Sequence, residues 1–198
     1  MKGRASTIEE IGDGRLLRRG GNPVREAVVM GHARRHGYPV PEVYEVRGDA
    51  LVLEKVDGPT MQEDIQLRPW LLARHMRTLA ELHHRLHALE HPEGGTLLHL
   101  DLHSMNVILG PDGPMVIDWT NAAGGDDPAL DPALVWVIFR TSGVPIASRL
   151  APRLFIRHFD PADIARALPA ACRFRIADPH TFPRERERVQ RLLRRYGP

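Results

Sequence analysis

The segment His99-Leu100-Asp101-Leu102-His103-Ser104-Met105-Asn106 sets a carboxylate, Asp101, five positions ahead of a carboxamide, Asn106. A carboxylate can orient a hydroxyl and accept its proton while a phosphoryl group is transferred. A nearby carboxamide can coordinate Mg²⁺ without adding charge. A second carboxylate, Asp118, follows in Val116-Ile117-Asp118-Trp119. Held together, these three groups suit transfer of phosphate onto an alcohol. Taken singly they are unspecific: Asp101 with Asn106 could be a turn-and-cap pair that only satisfies backbone groups, and Asp118 a strand-end cap.

The surrounding pattern predicts the elements that must position them. Val107-Ile108-Leu109 and Met115-Val116-Ile117 read as strands joined by the turn Gly110-Pro111-Asp112-Gly113, so a β-hairpin follows Asn106 at once and ends at Asp118. Kinases place their second metal ligand there, just beyond a catalytic loop of the spacing D-x-x-x-x-N. Upstream, Leu72, Met76, Leu79, Leu82, Leu86 and Leu89 recur at three- and four-residue steps, which predicts an amphipathic helix over residues 69–89. Downstream, residues 120–127 read as a polar loop. Residues 132–140 are apolar on all sides and predict a central buried helix. From Val144 onward two or three helices are expected, broken by Pro152, Pro161, Pro169 and Pro179.

The N-terminal quarter reads differently. Residues 7–11 and 15–18 predict a hairpin around Gly12-Asp13-Gly14. A helix over residues 23–36, capped by Asn22, comes next, then a second hairpin from residues 43–46 and 50–54. Val56-Asp57-Gly58-Pro59 is a linker. It divides a small β-rich unit with one helix, residues 1–56, from a mostly helical one, residues 57–198.

Composition narrows the setting. The chain has 198 residues, 42% hydrophobic and 26% charged, as expected of a folded globular protein. Cys172 is the single cysteine, so no internal disulfide is possible. The first seven residues lack the apolar core of a signal peptide, and the longest apolar run, residues 133–139, is far short of a membrane span. A cytoplasmic location without membrane contact is therefore expected. Residues 184–195 are basic, but Glu185 and Glu187 interleave with the arginines. That is the pattern of a solvated helix face, and no nucleic-acid partner is expected.

On three stretches the chain resembles the aminoglycoside-phosphotransferase-like family, bacterial small-molecule kinases related to choline and protein kinases. They are residues 98–106, Val116-Ile117-Asp118-Trp119, and Gly125-Asp126-Asp127-Pro128-Ala129-Leu130-Asp131. The resemblance implies an α+β, two-lobed protein-kinase-like fold with a reduced N-terminal lobe. It implies ATP and Mg²⁺ as cofactors, with Asp101 as catalytic base and Asn106 and Asp118 as metal ligands. His99 and His103 would shape the catalytic loop, and Asp131 would brace it from the buried helix. Glu26 matches the helix glutamate that pairs with a strand cation, and Arg18 is the best-placed cation, where the family has Lys. Glu54-Lys55-Val56 matches the hinge, where backbone groups of Glu54 and Val56 would meet adenine. Only Gly12-Asp13-Gly14 stands where a glycine-rich phosphate loop is expected.

Two features need separate weighing. His83, His84, His87 and His91 cluster at a helix end, and His83 and His87 have the four-residue step of a metal pair. No third ligand is evident in the sequence, and a packed helix end is the plainer reading. The functional reading is an ATP-dependent phosphotransferase acting on a hydroxyl of a small molecule. Its alternative is a catalytically weak, pseudokinase-like binding module, motivated by Arg18 and the short glycine turn. A protein kinase ranks last, because residues 119–131 leave little room for an activation segment. Val144 to Pro198 carries no acidic cluster of the kind that favours a polycationic acceptor.

Overall fold

The computed structural model describes residues 7–141, 147–179 and 181–196. The expected leader-free start at Met1 and the expected helix start at Val144 lie outside these residues.

Strands β1 (Thr7–Gly12), β2 (Arg15–Arg19), β3 (Val43–Arg47) and β4 (Ala50–Glu54) form one antiparallel sheet in the order β1-β2-β4-β3. The alternation of β4 explains its central place. Ala50 and Val52 pack with Leu17 on one face, and Leu51 joins the main core on the other. Helix α1 (Pro23–Arg35) starts where Asn22 Oδ1 accepts the Arg25 N–H at 3.1 Å and Pro23 supplies the first turn. It turns Val29, Met30 and Ala33 onto that core.

Helix α2 (Met61–Leu67) is absent from the sequence expectation, although its start carries a capping box. Thr60 Oγ1 accepts from Glu63 N–H at 3.1 Å, and Glu63 Oε2 accepts from Thr60 N–H at 2.8 Å. The predicted long helix is α3 (Leu72–His87), preceded by a single 3₁₀ turn, Pro69–Leu71; Leu72, Met76, Leu79, Leu82 and Leu86 are its buried stripe. Strand β5 (Thr96–Leu98) pairs with β8 (Ala123–Gly125), inside the stretch expected to be only a polar loop. Strands β6 (Val107–Gly110) and β7 (Gly113–Val116) form the expected hairpin.

Helix α4 (Leu130–Thr141) lies between two apolar clusters, which is why it is apolar all round. Val135 and Phe139 face the main core. Ala133, Leu134 and Val137 face a second cluster with Ile164, Leu168, Cys172 and Val189. The C-terminal part continues with α5 (Ala147–Ile156), α6 (Pro161–Ala177) and α7 (Pro183–Tyr196). Here one expectation is corrected: Pro152 and Pro169 sit inside α5 and α6 rather than breaking them. An interior proline costs roughly 3 kcal/mol. In α6 the burial of Ala167, Leu168, Ala171 and Cys172 against α4 exceeds that cost. No described helix is long and apolar enough to cross a membrane.

Candidate active site

Strand β5 leads the chain into the loop at residues 99–106. Leu100 has φ of +63°, a left-handed conformation that costs a residue with a Cβ about 1–3 kcal/mol. Asp131, at the start of α4, holds it there. Its Oδ2 accepts the His99 N–H at 2.9 Å and its Oδ1 the Leu100 N–H at 2.6 Å. His87 Nε2 lies 3.1 Å from the same Oδ2. Burial opposes ionisation of Asp131. The His87 hydrogen bond, the neighbouring imidazoles and the His99 N–H outweigh it and hold the carboxyl below the usual range.

Asn106 closes the loop. Its Nδ2 donates to the Asp101 carbonyl at 2.9 Å and to Asp101 Oδ2 at 3.1 Å. The amide nitrogen is thereby turned inward, and the carboxamide oxygen remains for a cation. His103 Nδ1 accepts the Met105 N–H at 3.2 Å, so its proton sits on Nε2, which is 3.5 Å from Asp101 Oδ1. Burial pushes the Asp101 carboxyl up, but the His103 hydrogen bond and, after it, the Arg175 charge pull it lower, leaving an ionised carboxylate. His99 is fully buried, its Nε2–H donates to the Ile117 carbonyl at 3.2 Å, and its ring packs 4.8 Å from that of Trp119. Burial lowers its pKa against the pull of Asp131, Asp101 and Asp118, so the ring is neutral. It ties the loop to the end of the hairpin from within and does not reach the cleft.

The hairpin brings Asp118 alongside. Val107 pairs with Val116, and Ile117 N–H donates to the Asn106 carbonyl at 3.0 Å, so Asp118 follows directly on the residue opposite Asn106. Asp118 is exposed and left-handed, with φ of +62°. Its Oδ1 accepts from Thr120 Oγ1 at 2.9 Å, and that oxygen in turn accepts from Arg18 Nη1 at 3.2 Å. The Arg18 guanidinium is ion-paired with Glu26 in a buried contact. Burial lowers the Arg18 pKa and the Asp118 charge partly restores it. A continuous polar strut thus runs from α1 through β2 to Asp118. Gly21, with φ of +70°, makes room for it: an added Cβ would collide with Glu26 Oε1 and stand 3.2 Å from Thr120 Cγ2.

Between the sheet and the helical part, Glu54 N–H donates to the Glu42 carbonyl at 2.8 Å and Glu54 Oε2 accepts the Glu42 N–H at 2.9 Å. Val56 N–H makes no hydrogen bond to a described residue. The linker is seated on the β6–β7 hairpin. Leu109 N–H donates to the Pro59 carbonyl at 2.8 Å, and Gly58, with φ of +146°, lies against Leu109, where a Cβ would collide with its carbonyl oxygen. Gly12, Asp13 and Gly14 all have positive φ and form a tight hairpin turn between β1 and β2.

The family model of the RIO domain matches residues 22–134, from the cap of α1 into α4, more than half of the chain. The chain belongs to the RIO domain family. That differs from the family named on sequence resemblance, whose members appear instead among structures with the same fold. One of aminoglycoside phosphotransferase APH(4)-Ia aligns over 100% of this RIO-domain chain and 92% of its own, with a TM-score of 0.75 and 16% identity. A choline/ethanolamine kinase family protein from Mesorhizobium loti aligns over 99% and 85%, with a TM-score of 0.65 and 18% identity. The macrolide 2'-phosphotransferase MphH of Brachybacterium faecium aligns over 97% and 93%, with a TM-score of 0.52 and 17% identity. At these identities the likeness fixes the fold, which is kinase-like, with a sheet-rich N-terminal and a helical C-terminal part. No curated protein matches the chain.

This RIO domain uses groups that the sequence reading passed over. Thr120, within the predicted polar loop, links Arg18 to Asp118. Gln62 on α2 accepts from Ser104 Oγ at 2.8 Å and so ties α2 to the loop. Arg175 on α6, ion-paired with Asp178 and Glu185, carries positive charge close enough to act on Asp101. The missed third neighbour of the His83–His87 pair is Asp131 itself. Contacts of this kind join residues far apart in the chain, and no spacing rule announces them.

Proposed function

We propose that this RIO domain is an ATP-dependent phosphotransferase that moves the γ-phosphoryl group to a hydroxyl of a small molecule. The observation that carries it is the Asp101–Asn106 pair on a loop clamped by Asp131, with Asp118 brought beside it by the β6–β7 hairpin. The carboxamide oxygen of Asn106 and the exposed carboxylate of Asp118 form a hard oxygen donor set that fits Mg²⁺. Bound there, Mg²⁺ would neutralise charge on the nucleotide phosphates. Asp101, kept ionised, accepts a hydrogen bond from the acceptor hydroxyl and orients it for attack. The hydroxyl proton passes to an Asp101 carboxylate oxygen as the new O–P bond forms and the bond to ADP breaks. His103 and Asn106 position that carboxylate.

In this reading, residues 1–56 and 57–198 act as two lobes with adenine at the linker, where the Val56 N–H is available and the Glu54 N–H is not. An APH(4)-Ia structure of the same fold is a ternary complex with AMP-PNP and hygromycin B, which supports nucleotide and a small-molecule acceptor sharing such a cleft. A nucleotide-binding module without transfer is the second reading. What favours it is that Arg18 is engaged with Glu26 and Thr120 rather than free for phosphates.

The test is the melting temperature with and without ATP and Mg²⁺, followed by an ATP-consumption screen over hydroxylated acceptors. Ligand at 100 times its Kd adds roughly 2.7 kcal/mol. Asp101→Ala should keep that shift and lose transfer. Equal turnover by the variant refutes the assignment. A shift without turnover on any acceptor leaves the binding module.

A further inference from the structure

Behind the catalytic loop, away from the oxygen donors assigned to Mg²⁺, His83 and His87 on α3 and Asp131 on α4 each offer a ligand atom, all within 4.8 Å of one another. We propose that these three residues form a binding site for a zinc-type divalent ion that staples α3 and α4 beneath the loop. The inference is independent of the phosphotransferase reading.

The donor chemistry is the first support. Two imidazoles and one carboxylate are a usual first shell for Zn²⁺, with water in the fourth position, and a set that Mg²⁺ avoids. At bond lengths of 2.0–2.1 Å, tetrahedral ligand atoms stand roughly 3.3 Å apart. His87 Nε2 and Asp131 Oδ2 already stand at 3.1 Å. The remaining donor, on His83, has at most about 1.5 Å to close from a 4.8 Å upper bound.

The surroundings are the second support. Metal-bound histidines commonly donate their other N–H to a backbone carbonyl, and metal-bound carboxylates are themselves hydrogen-bonded. His83 Nε2–H donates to the Leu102 carbonyl at 3.1 Å, which fixes the tautomer and leaves Nδ1 as a bare lone pair. That Nδ1 is completely buried and has no hydrogen-bond partner among the described residues. Leaving it so carries a desolvation cost that a metal bond removes. Asp131 is anchored by the His99 and Leu100 N–H groups. Phe155 and Phe159 flank His83 at 5.5 and 6.0 Å and keep bulk water off that side. His87 is 11% exposed and gives the ion its way in.

The full chain, stripped with a chelator, is titrated with Zn²⁺ and separately with Co²⁺ in excess Mg²⁺. The expected result is one Zn²⁺ per chain, undiminished by Mg²⁺, and a Co²⁺ complex with the intense visible absorption of tetrahedral coordination. His87→Gln keeps an N–H to offer Asp131 but loses the ligand, and should weaken Zn²⁺ binding by at least about 100-fold. His36→Gln is the control, because the exposed His36 and the half-buried His32 have ring centroids 4.4 Å apart and can take up zinc adventitiously. Binding that survives His87→Gln, or that disappears in His36→Gln, overturns the proposal. So does a Co²⁺ spectrum of the wild-type chain that stays that of the hydrated ion, a readout that needs no variant to fold.

Discussion

Replacing Asp131 by Asn tests the central support of the loop at residues 99–106 with almost no change of shape. The carboxylate accepts three hydrogen bonds, from His99 N–H, Leu100 N–H and His87. An amide can keep an oxygen on the Oδ2 side and so serve His99 and His87, but its NH₂ then faces the Leu100 N–H. One donor is orphaned, and a hydrogen bond to a charged acceptor, roughly 1.5–3 kcal/mol, is lost. The other two become neutral pairs of about half the strength. Removing a buried charge gives part of this back. The net expectation is a loss of roughly 2–4 kcal/mol, or about 5–15 °C in Tm for a chain of this size. The left-handed Leu100 is the conformation most exposed to that loss. Adding Leu100→Gly to Asp131→Asn should therefore recover part of the stability, although the same glycine alone destabilises the wild-type chain. Thermal melts of the four proteins give the coupling. Turnover should fall in Asp131→Asn while the ATP-dependent Tm shift persists, because the linker does not touch Asp131. An Asp131→Asn protein that melts within 1 °C of wild type, or shows no coupling to Leu100, refutes the clamp.

Thr120→Val removes the oxygen shared by Arg18 and Asp118 at nearly constant volume. It should cost about 1–2 kcal/mol in melts without ligand, raise the Mg²⁺ concentration needed for the ATP-induced shift several-fold, and leave the shift at saturating Mg²⁺ unchanged. Gly58→Ala places a methyl group against Leu109, whose carbonyl carbon would lie 2.9 Å away, at a φ of +146°. Strain and overpacking together predict a loss of roughly 2–4 kcal/mol by thermal denaturation, and a neutral outcome would mean that the linker does not rest on the hairpin. Stability should fall on mild acidification. His83 and His99 are buried neutral with lowered pKa values, so below about pH 6.5 the unfolded chain takes up protons that the folded one refuses. Their stabilisation is complete above that pH and declines as pH falls, for His83 until about pH 3. With its folded-state pKa near 3, His83 alone contributes roughly 1.4 kcal/mol between pH 7.5 and 5.5, and His99 acts in the same direction, so urea unfolding should show a stability lower by at least about 1.4 kcal/mol at pH 5.5.

What the sequence made legible follows the range of the physics involved. Period-2 and period-3.6 patterns come from neighbouring residues, so the hairpins, α1, α3 and the buried α4 were readable. Asn22 and Pro23 announced the start of α1 for the same reason. Thr60-Met61-Gln62-Glu63 carried an equally local capping signal, and α2 was passed over because seven residues show too little apolar periodicity. Strand β8, Ala-Gly-Gly, has no strand propensity at all. It is a strand because Gly124 lets the backbone pass Gly94, whose carbonyl a Cβ would strike, and because β5 needs a partner. Pro152 and Pro169 misled because proline's local cost was read without the packing that exceeds it.

The same distinction applies within the site. Asp101, Asn106 and Asp118 were found because their spacing is fixed by one loop and one hairpin. The groups that hold them come from elsewhere: Asp131 from α4, His87 from α3, Thr120 from the β8 approach, Arg18 and Glu26 from the sheet and α1. Two ionic supports bear on this site. Asp131 holds Leu100, and the Glu26–Arg18–Thr120 strut holds Asp118. Each keeps a residue with a Cβ in a left-handed conformation, at +63° and +62°. Neither conformation would persist on local preference alone. The supports therefore convert global folding free energy into the placement of two carboxylates that flank one carboxamide. Arg18 serves that purpose better than a lysine would, because one planar fork reaches Glu26 and Thr120 at once. Its engagement in the strut is the physical reason that the N-terminal sheet, short as it is, bears on the placement of Asp118.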